Sequence, residues 1–214
     1  MPKPKIQRRQ RRNDGFSNWV RSAADEQAVT EGCYFDETAG RHVVEFFERF
    51  LLHTLGQWAG KPFELLPWQR DEIVMPLFGW RRADGTRRFR KAYIEVPKKN
   101  GKSTLCGGLA LYLLLADGEP RAQIYGAAAD RDQAGIVFHE AANMVMSSAE
   151  LQRRLQVVRS TKRIIDPTTN SFYHAISADA YSNEVTPSPK TDPGNMRESS
   201  RPGGPERIRD EEAT

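Results

Sequence analysis

Val96-Pro97-Lys98-Lys99-Asn100-Gly101-Lys102-Ser103 is the stretch that decides how this chain reads. It closes a strand-like run, Lys91 to Val96, and opens an apolar run, Thr104 to Ala116, long enough for a helix. Strand, tight loop with Gly-Lys-Ser, then helix is the layout of a phosphate-binding P-loop. Loop amides and the first N–H groups of the helix would converge where the helix dipole favours an anion. In that reading Lys102 reaches the β- and γ-phosphates of ATP and Ser103 coordinates Mg²⁺. Asn100, Gly101 and Thr104 complete the cradle. The full motif has a glycine where Val96 stands, so a basic surface turn is the competing reading.

The segments around the loop supply an α/β domain. Phe16 to Ala28 and Thr38 to Gln57 have helical apolar spacing, the second through Val43, Val44, Phe46, Phe47, Phe50, Leu51 and Leu55. Pro67 suits a first helical position, and Pro76 is expected to end that short helix near Val74. Trp80 to Val96 reads as a hairpin around Asp84-Gly85, its return strand feeding the loop. Beyond the loop helix come a short buried strand, Gln123 to Ala127, and a helix N-capped by Asp130 to about Met146. A short helix over 150–156 and a hairpin of Ile164-Ile165 with Ser171 to Ser177 follow. Strands alternating with helices predict a P-loop NTPase-like, mainly parallel sheet with helices on both faces, incomplete at its C-terminal side.

Charge is distributed unevenly. Residues 1–12 carry six Lys/Arg and no acid, and residues 81–91 carry six more against Asp84 alone. Such clusters attract polyanions, nucleic acid first. The division expected is a basic arm plus helical region over 1–58, a partial ATPase domain over 59–182 and a tail over 183–214. That tail holds five prolines and twelve charged residues, and is expected to be disordered. Cys33 and Cys106 suggest no disulfide framework, and Cys106 is expected to pack as a small apolar residue. His42, His53, His139 and His174 show no metal-ligand spacing. The basic N-terminus has no apolar run behind it, so it does not read as a secretory signal.

Leu66-Pro67-Trp68-Gln69, Phe78-Gly79-Trp80 and the run Tyr93 to Ser103 together resemble the ATPase domain of tailed-phage terminase large subunits. Ala127 to Ala134 and Phe172 to Asp179 extend the resemblance, which covers roughly residues 60–180. Such terminases commonly lack the first P-loop glycine. The resemblance implies a motor that hydrolyses ATP to drive double-stranded DNA into a procapsid. A portal protein, a terminase small subunit and further copies in a ring are its implied partners. The implied compartment is the cytoplasm of an infected bacterium. It also implies site residues: Lys102 for phosphate, Ser103 for Mg²⁺ and Gln69 for adenine. Lys98 stands where many relatives have an arginine at the γ-phosphate, without the bidentate fork. Arg131 and Gln133 fall in a segment that lies near DNA in helicase-like ATPases.

One element of the pattern is missing. The family places an apolar strand ending in Asp-Glu soon after Ser177-Ala178-Asp179. Here Asp210-Glu211-Glu212 follows Glu206-Arg207-Ile208-Arg209, which cannot be a buried strand. No catalytic carboxylate pair is therefore assigned. The expectation is a truncated or frameshifted large subunit that binds nucleotide better than it hydrolyses it. The alternatives are a basic DNA-binding or assembly protein without ATPase activity, or another helicase-like P-loop ATPase.

Overall fold

The computed structural model describes residues 16–129 and 131–177, with only the backbone of Phe16, Ser17 and Arg131. The basic arm, Asp130 and everything after Ser177, including Asp210-Glu211-Glu212, lie outside the described residues.

Two short helices lead in. A 3₁₀ turn over Phe16–Trp19 precedes α1 (Ala23–Thr30), where one helix to Ala28 was expected. β1 (Tyr34–Phe35) then pairs antiparallel with β2 (Trp80–Arg81). Next, α2 (Glu37–Phe50) starts at Asp36, whose carboxylate accepts from Ala39 N–H at 3.2 Å. It stops well before Gln57 because Leu51 and Leu52 turn extended. Leu51 carbonyl accepts from Phe63 N–H at 2.9 Å, and Leu52 bridges Pro62.

The chain is helical from 67 to 79, straight through Pro76. Its middle, Gln69–Val74, is π-helical, and α3 (Met75–Gly79) follows. Met75 N–H donates to the Arg70 carbonyl, five residues back. A wide turn of this kind shifts the donor ladder just before Pro76, so the missing N–H and the ring are absorbed where an ordinary helix would break.

The expected hairpin is present only at its tip. Arg82 N–H donates to Thr86 carbonyl at 2.8 Å, Arg88 N–H to Trp80 carbonyl at 3.0 Å, and Arg81 bridges Arg87. Lys91 to Val96, expected as its return strand, has no strand pairing among the described residues. Tyr93 there is 89% exposed. Pattern alone does not make a strand, because a ladder needs a neighbour.

After the loop, α4 (Lys102–Leu115), β3 (Gln123–Ala128), α5 (Arg131–Ser147) and α6 (Ala149–Arg154) follow in order. A meander then closes the described chain: β4 (Gln156–Val158), β5 (Arg163–Asp166) and β6 (Ser171–Ser177). The sheet order is β3-β6-β5-β4. The α/β class expected is adopted. β3 and β6 run parallel, Gln123 opposite Phe172 through Ala128 opposite Ser177, and α5 lies in the crossover between them. β6–β5 and β5–β4 pair antiparallel, the first as the hairpin read from the sequence.

One apolar core joins these parts. Val43, Phe47, Leu51, Leu111, Phe138, Ala141, Val145 and Ile164 are fully buried within it. Within it, α2 packs on α3 and α4. α4 and α5 lie side by side over the sheet face that carries Tyr173, Ala175 and Ile164. On the opposite face, Tyr125 meets Phe172 and His174 at ring-centroid distances of 5.7 and 6.3 Å. β3 is therefore half-buried rather than buried, with Tyr125 52% exposed. Cys106 also differs from expectation. It lies on the exposed side of α4.

Candidate functional site

The loop is shaped by two left-handed residues, Lys99 at φ 69° and Gly101 at φ 71°. An L side chain rarely holds that conformation, which explains why glycine stands directly before the helix. Gly101 is the N-cap of α4 and has no side chain to accept from the first turn. That turn also contains no acid. Its orphan amides and the dipole are left for an anion to satisfy. Left-handed residues in succession with right-handed ones form the same kind of amide concavity.

Three lysines stand in this loop and at the first position of the helix. Lys98, Lys99 and Lys102 are all exposed. Asn100 turns inward on the loop, its Nδ2 donating to Pro97 carbonyl at 3.4 Å. Ser103 and Thr104 are half-buried, and Thr104 Oγ1 donates to Glu140 Oε2 on α5 at 3.4 Å.

Gln69 comes to the same place from far upstream. It is 2% exposed. Its Oε1 accepts from Leu66 N–H at 3.0 Å, the reciprocal half of a capping box. Its Nε2 lies 3.6 Å from where a Cβ on Gly101 would stand. Gln69, Gly101 and the start of α4 are therefore one cluster, as are Lys98, Asn100, Lys102, Ser103 and Thr104 by chain continuity. Glu140 is the member that sequence reading missed. Nothing in its local pattern marks it, since its role follows from how α5 crosses α4.

The basic hairpin divides into two parts. Arg87 pairs with Asp117 through two bonds, 3.1 and 2.7 Å, at the C-terminal end of α4. Arg88 pairs with Asp25 at 2.6 Å and with Ala24 carbonyl at 3.0 Å. These two hold the hairpin down and are not available to a polyanion. Arg82, Arg90 and Lys91 remain exposed. In the segment after β3, Gln133 is exposed and partnered, and the Arg131 side chain lies outside the described residues. No helix among the described residues is long and apolar enough to cross a membrane.

A curated relative, the terminase large subunit of Enterobacteria phage HK97, is 33% identical over 143 residues. The match takes in 66% of this chain and 27% of the relative. The crystal structure of the HK97 bacteriophage large terminase superposes with a TM-score of 0.55 at 31% identity. That superposition covers 65% of this chain and 27% of the terminase, so the chain spans about a quarter of the length of these relatives. The ATPase domain of the terminase large subunit matches residues 67–184, more than half of the sequence, and the chain belongs to that family.

Proposed function

We propose that this chain binds ATP with Mg²⁺ at the start of α4 and supplies the ATPase domain of a motor that packages double-stranded DNA. The observation that carries this reading is the open helix start. Gly101 provides no cap, the first turn has no acid, three exposed lysines lie within three residues of it in the chain, and the Gln69 amide packs against it. Lys102 takes the β- and γ-phosphates as a point charge. Lys98 adds a second cation toward the γ-phosphate, weaker than an arginine fork. Asn100, Gly101 and Thr104 hold the loop around the phosphate chain, and the Ser103 hydroxyl is the Mg²⁺ ligand. When bound there, Mg²⁺ would supply charge neutralisation of the phosphates. Gln69 meets the adenine edge with its Nε2 and the second lone pair of Oε1.

Arg82, Arg90 and Lys91 would serve as contacts to the DNA backbone, giving a salt-dependent affinity. Family membership favours a portal protein, a small subunit and further copies of the chain as partners, in the cytoplasm of an infected bacterium. Over 59–182 the chain would act as the ATPase domain. Mg-ATP titration calorimetry on this chain and on Lys102→Ala tests the reading. Binding by the parent that the substitution removes supports it. A folded parent that takes up no nucleotide overturns it.

A further inference from the structure

One hydrogen bond crosses from the loop helix to its neighbour, and packing rather than the bond itself fixes where it falls. A Cβ on Gly107 would stand 3.1 Å from Ala141 N and 3.4 Å from Glu140 Cβ. Glycine thus lets the backbones of α4 and α5 meet one turn beyond Thr104. Ala141 and Ala142 are fully buried in that contact. The Cβ of Glu140 is thereby held against α4, within reach of its first turn. From there its Oε2 accepts from the Thr104 hydroxyl, on the residue after Ser103.

The placement has an electrostatic consequence. The first turn of α4 contains no acid of its own, and a neighbouring helix puts a carboxylate beside it. A carboxylate beside an anion site repels bare phosphate, and a bound cation reverses the sign of that interaction. We propose that Glu140 is a positioning residue that fixes Thr104, and with it the Ser103 turn, and biases the phosphate site toward metal-complexed nucleotide. This rests on the nucleotide-binding reading above. At 3.4 Å the bond is longer than an ordinary O–H···O contact, and it has room to tighten when the turn closes on a ligand.

The test is the ratio of two affinities, ADP with Mg²⁺ and ADP in EDTA, for the parent, Glu140→Gln, Thr104→Val and Thr104→Ser. Glu140→Gln keeps the shape and removes the charge. It is expected to weaken Mg-ADP about three- to tenfold, the difference between a charge-assisted hydrogen bond and the neutral one that the amide oxygen can still accept, and to leave metal-free ADP equal or tighter. Thr104→Val should weaken Mg-ADP by a similar factor, and Thr104→Ser should restore it. Because the two groups act as one unit, Thr104→Val combined with Glu140→Gln should cost no more than the larger single change. Equal weakening of both ADP forms, or losses that multiply in the double variant, would overturn the assignment of Glu140 alone. A parent that binds neither form would instead overturn the nucleotide reading on which it depends.

Discussion

Two helices of this chain begin in opposite ways. α2 starts on Asp36, whose carboxylate accepts from Ala39 N–H, with Glu37 in its first turn paired to Arg41 at 2.6 Å. Every charge that the start of the helix invites is supplied from within. α4 starts on Gly101, with no capping side chain, no acid in its first turn and Lys98, Lys99 and Lys102 around it. The amides at both ends have the same need. One helix meets it with its own side chains, and the other is arranged so that an anion from outside must. An uncapped helix start in a packed domain is a cost to folding, and under the proposed function the difference marks where the chain gives up local stability for binding.

The comparison breaks most sharply at Lys102. Lys102→Ala removes a charge-assisted contact of about 3 kcal/mol, on the order of 100-fold in Mg-ATP affinity. The melting temperature should hardly change, because the side chain is exposed. Gly101→Ala should act on both quantities. A Cβ in the left-handed conformation costs about 1–2 kcal/mol, and relief of that strain moves the first amides of α4 off their common focus. About tenfold weaker nucleotide binding with a lower melting temperature is expected. Unchanged affinity would mean that the loop amides do not form the cradle.

Asp36→Ala is the mirror experiment. Loss of the cap of α2 should cost about 1 kcal/mol of stability and leave Mg-ATP affinity as it was. Chemical denaturation and calorimetry on the same sample read both. If Asp36→Ala weakened nucleotide binding as strongly as Gly101→Ala, the two helix starts would not be separable, and the contrast between them would fail.

The same contrast explains which parts could be read in advance. The loop and its helix were legible because their signals are local: Gly-Lys-Ser followed by an apolar run of the right length for a helix. The place of Gln69 beside Gly101 was legible only through resemblance to a family pattern, and its buried carbonyl closes a capping box on Leu66. The path through Pro76 was misread because a π turn is invisible to a 3.6-residue periodicity. Lys91 to Val96 has the alternation of a strand, yet pairing is a property of two segments and the sequence of one cannot supply it. Arg87 and Arg88 looked like part of a basic patch until Asp117 and Asp25, 30 and 63 residues away, were seen to hold them. Glu140 was hidden for the same reason, because helix crossing places it at the loop.

The smallest expected effect concerns acid, and it extends the comparison to α1. That helix also closes its own start, with Ser22 as cap and Asp25 in its first turn. Burial pushes the Asp25 carboxyl up, but hydrogen bonds from Arg88, Ser22 and Arg21 N–H outweigh it and hold the group below its ordinary value of 3.8. A carboxyl whose folded pKa is depressed stabilises the fold fully above the unfolded pKa. That contribution is lost as pH falls from about 3.8 through the lower folded value. Asp25→Asn should therefore melt at a lower temperature than the parent at neutral pH, and the gap should narrow on acidification below about pH 3.8. Asp166, buried and held down by Thr168 and Arg154 against its own burial, titrates in the same direction, so the acid limb will flatten without vanishing in the variant. A gap that stays constant down to acid pH would show that the Asp25–Arg88 pair contributes through packing rather than charge. Nucleotide affinity at neutral pH should not respond to Asp25→Asn, since the open start of α4 has no carboxylate in its first turn to titrate.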